Sequence, residues 1–544
     1  MTRGSLENID LGTSIFGDII QKDCFYVDKT RLIEHFLTAK TTVSLVARHR
    51  RLGKSLNMDM LRSFLTHRED FRHLFKGLYI ESSPVWVMAN SAPVFCFDFK
   101  TLSKKEYRRD VVMQVYKHIC MNVSPGVLQG YYKSQLDFLI ANPETGKNAL
   151  FFLTEVIFEA TGKRSYILID EYDKLLMDNS GSESYDEMRD FFTALFSAAL
   201  KGNPYLEKAM LTGVLRISHE SMFSGLNNIV TFDVFNDSTY TDDYGFTEQE
   251  IEAIGEKSDF DRDKLRQWYN GVRINGKAIY NTYSVMSYFF HKKFDCFWGK
   301  SGTMEIISRL LNDNRKATLA RLLAGEEVMV PLADRVSLHD IGNYASDQAF
   351  YSLLVQGGYL ALCRKAEGKT SAAYVAVPNA ELVLVWKEFI LENLYPHTPQ
   401  VRTIFDNTED TDKFARDLEY FIQDRLSFHD LAMTKDEEPK KLQERFYHIF
   451  VLGILSAYED VKCMHPLSNR ESGDGRYDIF VEKQNCNFVF ELKAFDKDDD
   501  LDAGAQTALA QIDSKRYGLD LDAKKRLIKI GVAVSGKKCR VKVQ

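Results

Sequence analysis

The 544-residue chain is poor in cysteine and proline and carries no excess of positive charge. Its eight cysteines (Cys24, Cys96, Cys120, Cys296, Cys363, Cys463, Cys486, Cys539) lie far apart. With no CxxC pair or Cys/His cluster, that spacing excludes a disulfide scaffold and a zinc framework and fits a reducing compartment. No run of about 18 uninterrupted apolar residues occurs, so no membrane span is expected. The segment Met1 to Asp10 is acidic and polar, without the apolar core of a secretory leader, and a cytoplasmic location is expected. Lys and Arg total 70 against 77 Asp and Glu, a formal charge of -7, so any nucleic-acid site has to be local. What is present is ordinary globular composition, 45% apolar and 27% charged with 11 Pro and 31 Gly, and neither a repeat nor a low-complexity linker. At roughly 150 residues per domain, this length implies three to four structural units.

Strand and helix patterns alternate in the first half. A β-branched run, Thr42 to Ala47, leads through a loop into a helix beginning near Leu56. Further buried-strand patterns fall at Pro93 to Phe99, Ser165 to Ile169 and Lys208 to Leu215, separated by helical stretches such as Tyr107 to Asn122 and Tyr185 to Leu200. That alternation predicts an α/β fold with a parallel sheet. From Phe246 to about Tyr395 the pattern is mainly helical. From Asp406 two helical segments (Thr411 to Leu426, Pro439 to Glu459) precede short strands at Tyr477 to Val481, Phe488 to Leu492 and Leu527 to Val534, a second α/β domain.

Gly53-Lys54-Ser55 lies at the first strand-to-helix junction, where backbone N–H groups and a helix N-terminus favour phosphate. It is the second half of a Walker A motif; Lys54 would meet the β/γ-phosphates and Ser55 would ligate Mg²⁺. The first glycine of that motif would fall at position 48, which is Arg48. The strand Tyr166-Ile167-Leu168-Ile169 ends in Asp170-Glu171, which supplies a Mg²⁺-side carboxylate and a group to polarise the attacking water. Thr212, where the next strand ends, is the candidate contact to the γ-phosphate, with Arg216 beyond it. The cofactors expected are therefore ATP and Mg²⁺.

In the carboxy-terminal region Asp478 and Glu491-Leu492-Lys493 form Asp-x(12)-Glu-x-Lys. On a strand Glu491 and Lys493 share one face and Leu492 takes the other, while a hairpin from Val481 to Phe488 would bring Asp478 alongside. This is the constellation of PD-(D/E)xK nucleases, in which two carboxylates and a main-chain carbonyl hold Mg²⁺ and the Lys serves the attacking water. Glu444 in the preceding helix, and Gln511 and Tyr517 in or just beyond the following one, are further candidates. The acidic run Asp496 to Asp502 reads as a solvated loop.

With these residues laid out, the chain resembles a bacterial family of AAA-ATPase-like proteins fused to a PD-(D/E)xK nuclease-like domain. Phe25-Tyr26-Val27-Asp28-Lys29-Thr30 is similar to the family's YYVDKT, and Arg48 to Ser55 to its RPRRFGK(T/S), which carries Arg51 into the nucleotide site. In the family, too, the loop lacks its first glycine. Phe223 to Asn228, Tyr244-Gly245-Phe246-Thr247, Trp268-Tyr269-Asn270-Gly271, Gly357-Gly358-Tyr359-Leu360, Val377-Pro378-Asn379 and Glu444 to His448 follow in order. Thr282 and Tyr283 stand where the family has Pro and Trp. The resemblance implies an ATPase core over residues 1–245, a helical lid or winged-helix-like region over 246–400, and a nuclease-like domain over 401–544. It implies an ATP-hydrolysing regulator of a Mg²⁺-dependent nuclease, with nucleic acid as partner and a role in defence or DNA processing. The alternative is an ATP-controlled module that grips nucleic acid or a protein without cutting. No arginine finger is identifiable, and a homo-oligomer stands as an open expectation.

Overall fold

The computed structural model describes residues 2–544 other than 125, 127, 217–225, 227, 257, 299–301, 324, 334–345, 367–370, 395–403, 406–407, 426–446, 448–450, 452–464, 469–470, 473–474, 477, 483–485, 497–498, 516–524 and 536–537. The chain divides into two compact units, Met1–Ile306 with Met329–Leu382, and Ile307–Val328 with Val383–Gln544.

The first unit is built on five parallel strands: β1 (Val43–Ala47), β2 (Val94–Asp98), β3 (Ser165–Asp170), β4 (Leu206–Gly213) and β5 (Ile229–Phe232), in the order β2-β3-β4-β1-β5. Every residue of β1 is buried, as are the first five of β3. Strands covered on both faces read as unbroken apolar runs, which is why these two were visible in the sequence. The crossovers include α1 (Lys54–Leu65), α2 (Tyr107–Asn122), α3 (Ala149–Thr161) and α4 (Tyr185–Leu200). Because all five strands run the same way, their carboxyl ends share one edge. Register pairs Val46 with Thr212 and Asp98 with Asp170 along that edge.

The region after Phe246 is less helical than its pattern predicts. It contains a hairpin of Val272–Ile274 with Lys277–Ile279 and a three-stranded sheet of Val328–Pro331, Ala372–Ala376 and Ala361–Lys365. Among the helices around them are α5 (Thr282–His291), α6 (Asp347–Gln356) and α7 (Ala380–Leu394). Strands of three to five residues are too short to register a period of two against neighbouring helices.

The second unit carries a mixed sheet, β6 (His465–Ser468), β7 (Ile479–Glu482), β8 (Cys486–Ala494), β9 (Arg526–Ser535) and β10 (Lys538–Val543), in chain order, with only β8 and β9 parallel. Its two faces are sorted by alternation along β8. Phe488, Phe490 and Leu492 enter a core with Phe414, Leu418 and Ile422 of α8 (Thr411–Arg425), while Val489 packs with Leu509 and Ile512 of α9 (Leu501–Ser514). Glu491 thus faces the α9 side.

Candidate nucleotide and nuclease sites

The loop after β1 enters α1 through Gly53, whose φ is +82°, and the first turn of α1 holds no acidic side chain to compete for its free N–H groups. A Cβ added at Gly53 would meet nothing within 4 Å, so the loop faces open space. Lys54 is 5% exposed, and its ammonium donates to the carbonyls of Arg48 (3.1 Å) and His49 (3.2 Å), which folds it across its own loop. At the end of β3 Asp170 accepts the Ser55 hydroxyl at 2.5 Å on one oxygen and the Thr212 hydroxyl on the other. Glu171 follows with left-handed backbone (φ +54°), as does Arg51 in the loop (φ +66°). Such backbone costs a non-glycine residue about 1–2 kcal/mol, and both residues line the same cavity of about 470 Å³ with Gly53, Lys54 and Ser55. The structure thus brings Arg51, Gly53, Lys54, Ser55, Asp170, Glu171 and Thr212 to one sheet edge. Arg216 lies further on, paired with Asp233 at 2.7 Å.

Arg48, at the place of the missing glycine, is buried. Its guanidinium donates to Ala47 O (2.9 Å) and Phe232 O (3.1 Å), pairs with Asp237 and lies over the Tyr244 ring. It anchors the loop to β5 and does not touch the cavity face. His49 is also buried; desolvation pushes its imidazole down to about 3, so it is neutral, and it packs on Trp298, which meets Tyr359. Two further carbonyls of the loop are taken by the region after β5. Gly245 N donates to Leu52 O (3.2 Å) and the Thr282 hydroxyl to Arg51 O (2.7 Å), while the Arg51 guanidinium stacks 4.1 Å from the Tyr283 ring. Asn281 caps α5 through its bond from Ser284 N, so the turn forms without the family's Pro and Trp.

The cavity also brings in residues to which the motifs assign no role. Part of the cavity lining is apolar, Leu11, Phe25, Val27, Phe246 and Met286 of one hydrophobic cluster, a surface of the kind a nucleobase fills. Lys100 and Lys174 also line the cavity, the Lys174 ammonium being paired with Asp178. Asp173, fully buried, accepts Val214 N (2.9 Å) and Leu215 N (2.7 Å), tying the turn after β3 to the end of β4; burial pushes its carboxyl up to about 6. The spacing Asp-Glu-Tyr-Asp was the available signal. For ATP and Mg²⁺ the residues fit: an open loop, a cation not committed to a carboxylate, and a hydroxyl already held on a carboxylate oxygen.

In the second unit Ile479 pairs with Phe490 and Val481 with Phe488, the register that sets Asp478 at the end of the ladder beside Glu491. Asp478 accepts Leu492 N at 2.7 Å, and burial pushes its carboxyl above the ordinary range. Glu491 is 3% exposed; it receives the Gln511 amide and lies 3.5 Å from the Lys493 ammonium. Asp478, Glu491, Lys493 and Gln511 therefore converge. Glu444 and Tyr517 lie outside the described residues, as do Phe223, Ser224, Gly225 and Asn227 of the family motif. Of the acidic run, Asp500 caps α9 and Asp502 pairs with Lys542. Among the described residues no three His, Cys, Asp or Glu side chains form a ready cation cage. Two desolvated carboxylates beside a strand carbonyl fit a hard divalent ion nonetheless.

These two sites define the class. Residues 10–223 match the family described as predicted AAA-ATPase, and residues 442–544 match the PD-(D/E)XK nuclease superfamily. The chain is a fusion of an AAA-ATPase-like segment with a PD-(D/E)XK nuclease superfamily segment. It is similar to an uncharacterized protein from the vnfD 5′ region of Azotobacter chroococcum mcd 1, with 29% identity over 403 residues, 73% of this chain and 72% of that one. Among the described residues no helix is long and apolar enough to cross a membrane.

Proposed function

We propose that the protein is a cytoplasmic ATPase whose nucleotide state controls a Mg²⁺-dependent phosphodiesterase acting on nucleic acid, in defence or DNA processing. The observation that carries this reading is Asp170 holding Ser55 and Thr212 at once, beside Lys54 and Glu171. Lys54 would leave the loop carbonyls for the β/γ-phosphates, and the loop N–H groups would hold the remaining oxygens. Glu171 would orient a water and take its proton as it attacks. Mg²⁺, when bound between Ser55 and Asp170, would neutralise charge on the phosphates. In the second unit Asp478 and Glu491 would hold a divalent ion, with Lys493 positioned on the water side and Gln511 fixing Glu491.

The test is phosphate release by the full chain with MgATP, compared with Glu171→Gln. The amide cannot accept the proton, so binding should persist while turnover falls about 10²-fold or more. Equal turnover removes Glu171 from the mechanism. Cleavage of single- and double-stranded DNA and RNA, lost in Asp478→Ala, separates a nuclease from a module that grips without cutting.

A further inference from the structure

Glu381, in the first turn of α7, is a carboxylate with no contact to the solvent and no place in the site as described. Its Oε1 accepts the Phe297 N–H at 2.7 Å and the Ser284 hydroxyl at 3.0 Å, while its buried Oε2 has no hydrogen-bond partner. The other side of the same residue, the Phe297 carbonyl, accepts the Arg51 guanidinium at 2.5 Å. Arg51 lines the phosphate cavity, and Thr282, two residues before Ser284, binds its carbonyl. Two routes therefore run from Glu381 to one loop residue, through Phe297 and through the first turn of α5.

Burial pushes the Glu381 carboxyl up to about 7, opposed by its bonds from the Ser284 hydroxyl and the Phe297 and Trp298 backbone and by the charge of Arg51. A carboxylate buried without a salt bridge is a standing cost to stability. A leucine or glutamine would fill the same space at less cost, so the charge calls for a use.

We propose that Glu381 is a positioning residue for the phosphate loop. Its carboxylate clamps the Phe297 N–H, and the residue so fixed aims Arg51 at the nucleotide phosphates. The proposal rests on the ATP reading. Charge-assisted hydrogen bonds are about twice as strong as neutral ones, and hydrogen bonds in series polarise one another. Removing the charge while keeping the acceptor should thus loosen Arg51 without opening the core.

The experiment is MgATP binding by the full chain at about pH 8.5, above the Glu381 carboxyl's value of about 7 so that it is ionised, measured calorimetrically with thermal unfolding, for the parent, Glu381→Gln, Arg51→Ala and the double variant. Glu381→Gln should weaken binding 3- to 10-fold while its melting temperature stays level or rises. Arg51→Ala should weaken binding at least as much, and the double variant should bind no worse than Arg51→Ala alone. Parent-like affinity in Glu381→Gln, multiplicative losses in the double variant, or a melting temperature that falls together with affinity would overturn the role of Glu381 alone. A parent chain that binds no MgATP overturns this role and the ATP reading together.

Discussion

Arg48 shows how a single residue can hide a motif. A phosphate loop ordinarily opens with a glycine, and the arginine here made Gly53-Lys54-Ser55 an incomplete match. The structure gives the reason: the side chain turns away from the cavity and is spent on Asp237 and two carbonyls. Restoring the missing glycine should therefore harm the protein. Arg48→Gly leaves Asp237 buried without its partner, at a cost of about 3–5 kcal/mol, read as a lower denaturant midpoint; unchanged stability would contradict the anchoring role. Asp173 carries a pH signature. Its folded-state carboxyl, raised to about 6 from 3.8, keeps its proton where the unfolded chain has lost it. The stability this contributes is whole below about pH 4 and is lost as pH rises through 6. Asp173→Asn should remove that slope and leave the variant more stable than the parent at pH 7.5, by on the order of 2 kcal/mol. An unaltered slope between pH 4 and 7 would count against the assignment.

At the scale of elements, what could be read beforehand was what is buried on two faces. β1 and β3 appear as apolar runs, and the residues at their carboxyl ends follow from strand direction. Gly213 was not legible as a constraint, since its need arises from packing: a Cβ there would come 2.6 Å from Asp173 and from the Tyr172 ring. The hairpin Val272–Ile279 did leave a trace, because Asn275-Gly276, both with positive φ, is the commonest short hairpin turn, but its strands are too short to support it. Glu381 left none. It is one acidic residue at a helix start, and its meaning depends on Phe297, a partner far off in the sequence. In the second unit alternation along β8 foretold the shared face of Glu491 and Lys493. Pairing of Asp478 and Glu491 with a divalent ion should stabilise the full chain by about 1–3 kcal/mol at saturating Mn²⁺ without nucleotide. Asp478→Ala should lose that gain, whereas Lys493→Ala should keep it and lose cleavage. A parent chain showing neither stabilisation nor cleavage would favour the gripping module.

Across the molecule, segments distant in sequence have a common destination. Gly245, Thr282, Tyr283, Trp298 and Phe297 all meet the loop between Arg48 and Leu52, so the region after β5 helps to build the wall of the cavity that holds Lys54 and Glu171. This explains why ordered motifs pointed to the architecture although each was weak alone, and why the compact unit extends past residue 245. On the proposed ATP reading, movement of the loop on binding phosphate would be shared with Thr282, Phe297 and Trp298, which contact it. The central claim is that this loop binds ATP through Lys54. Its most direct test is equilibrium binding of MgATP to the full chain and to Lys54→Ala, with folding of both verified by thermal unfolding. Saturable binding by the parent and a loss of at least about 10-fold in the variant, some 1.4 kcal/mol, is the expected result; a folded Lys54→Ala protein that binds MgATP as tightly as the parent would contradict it.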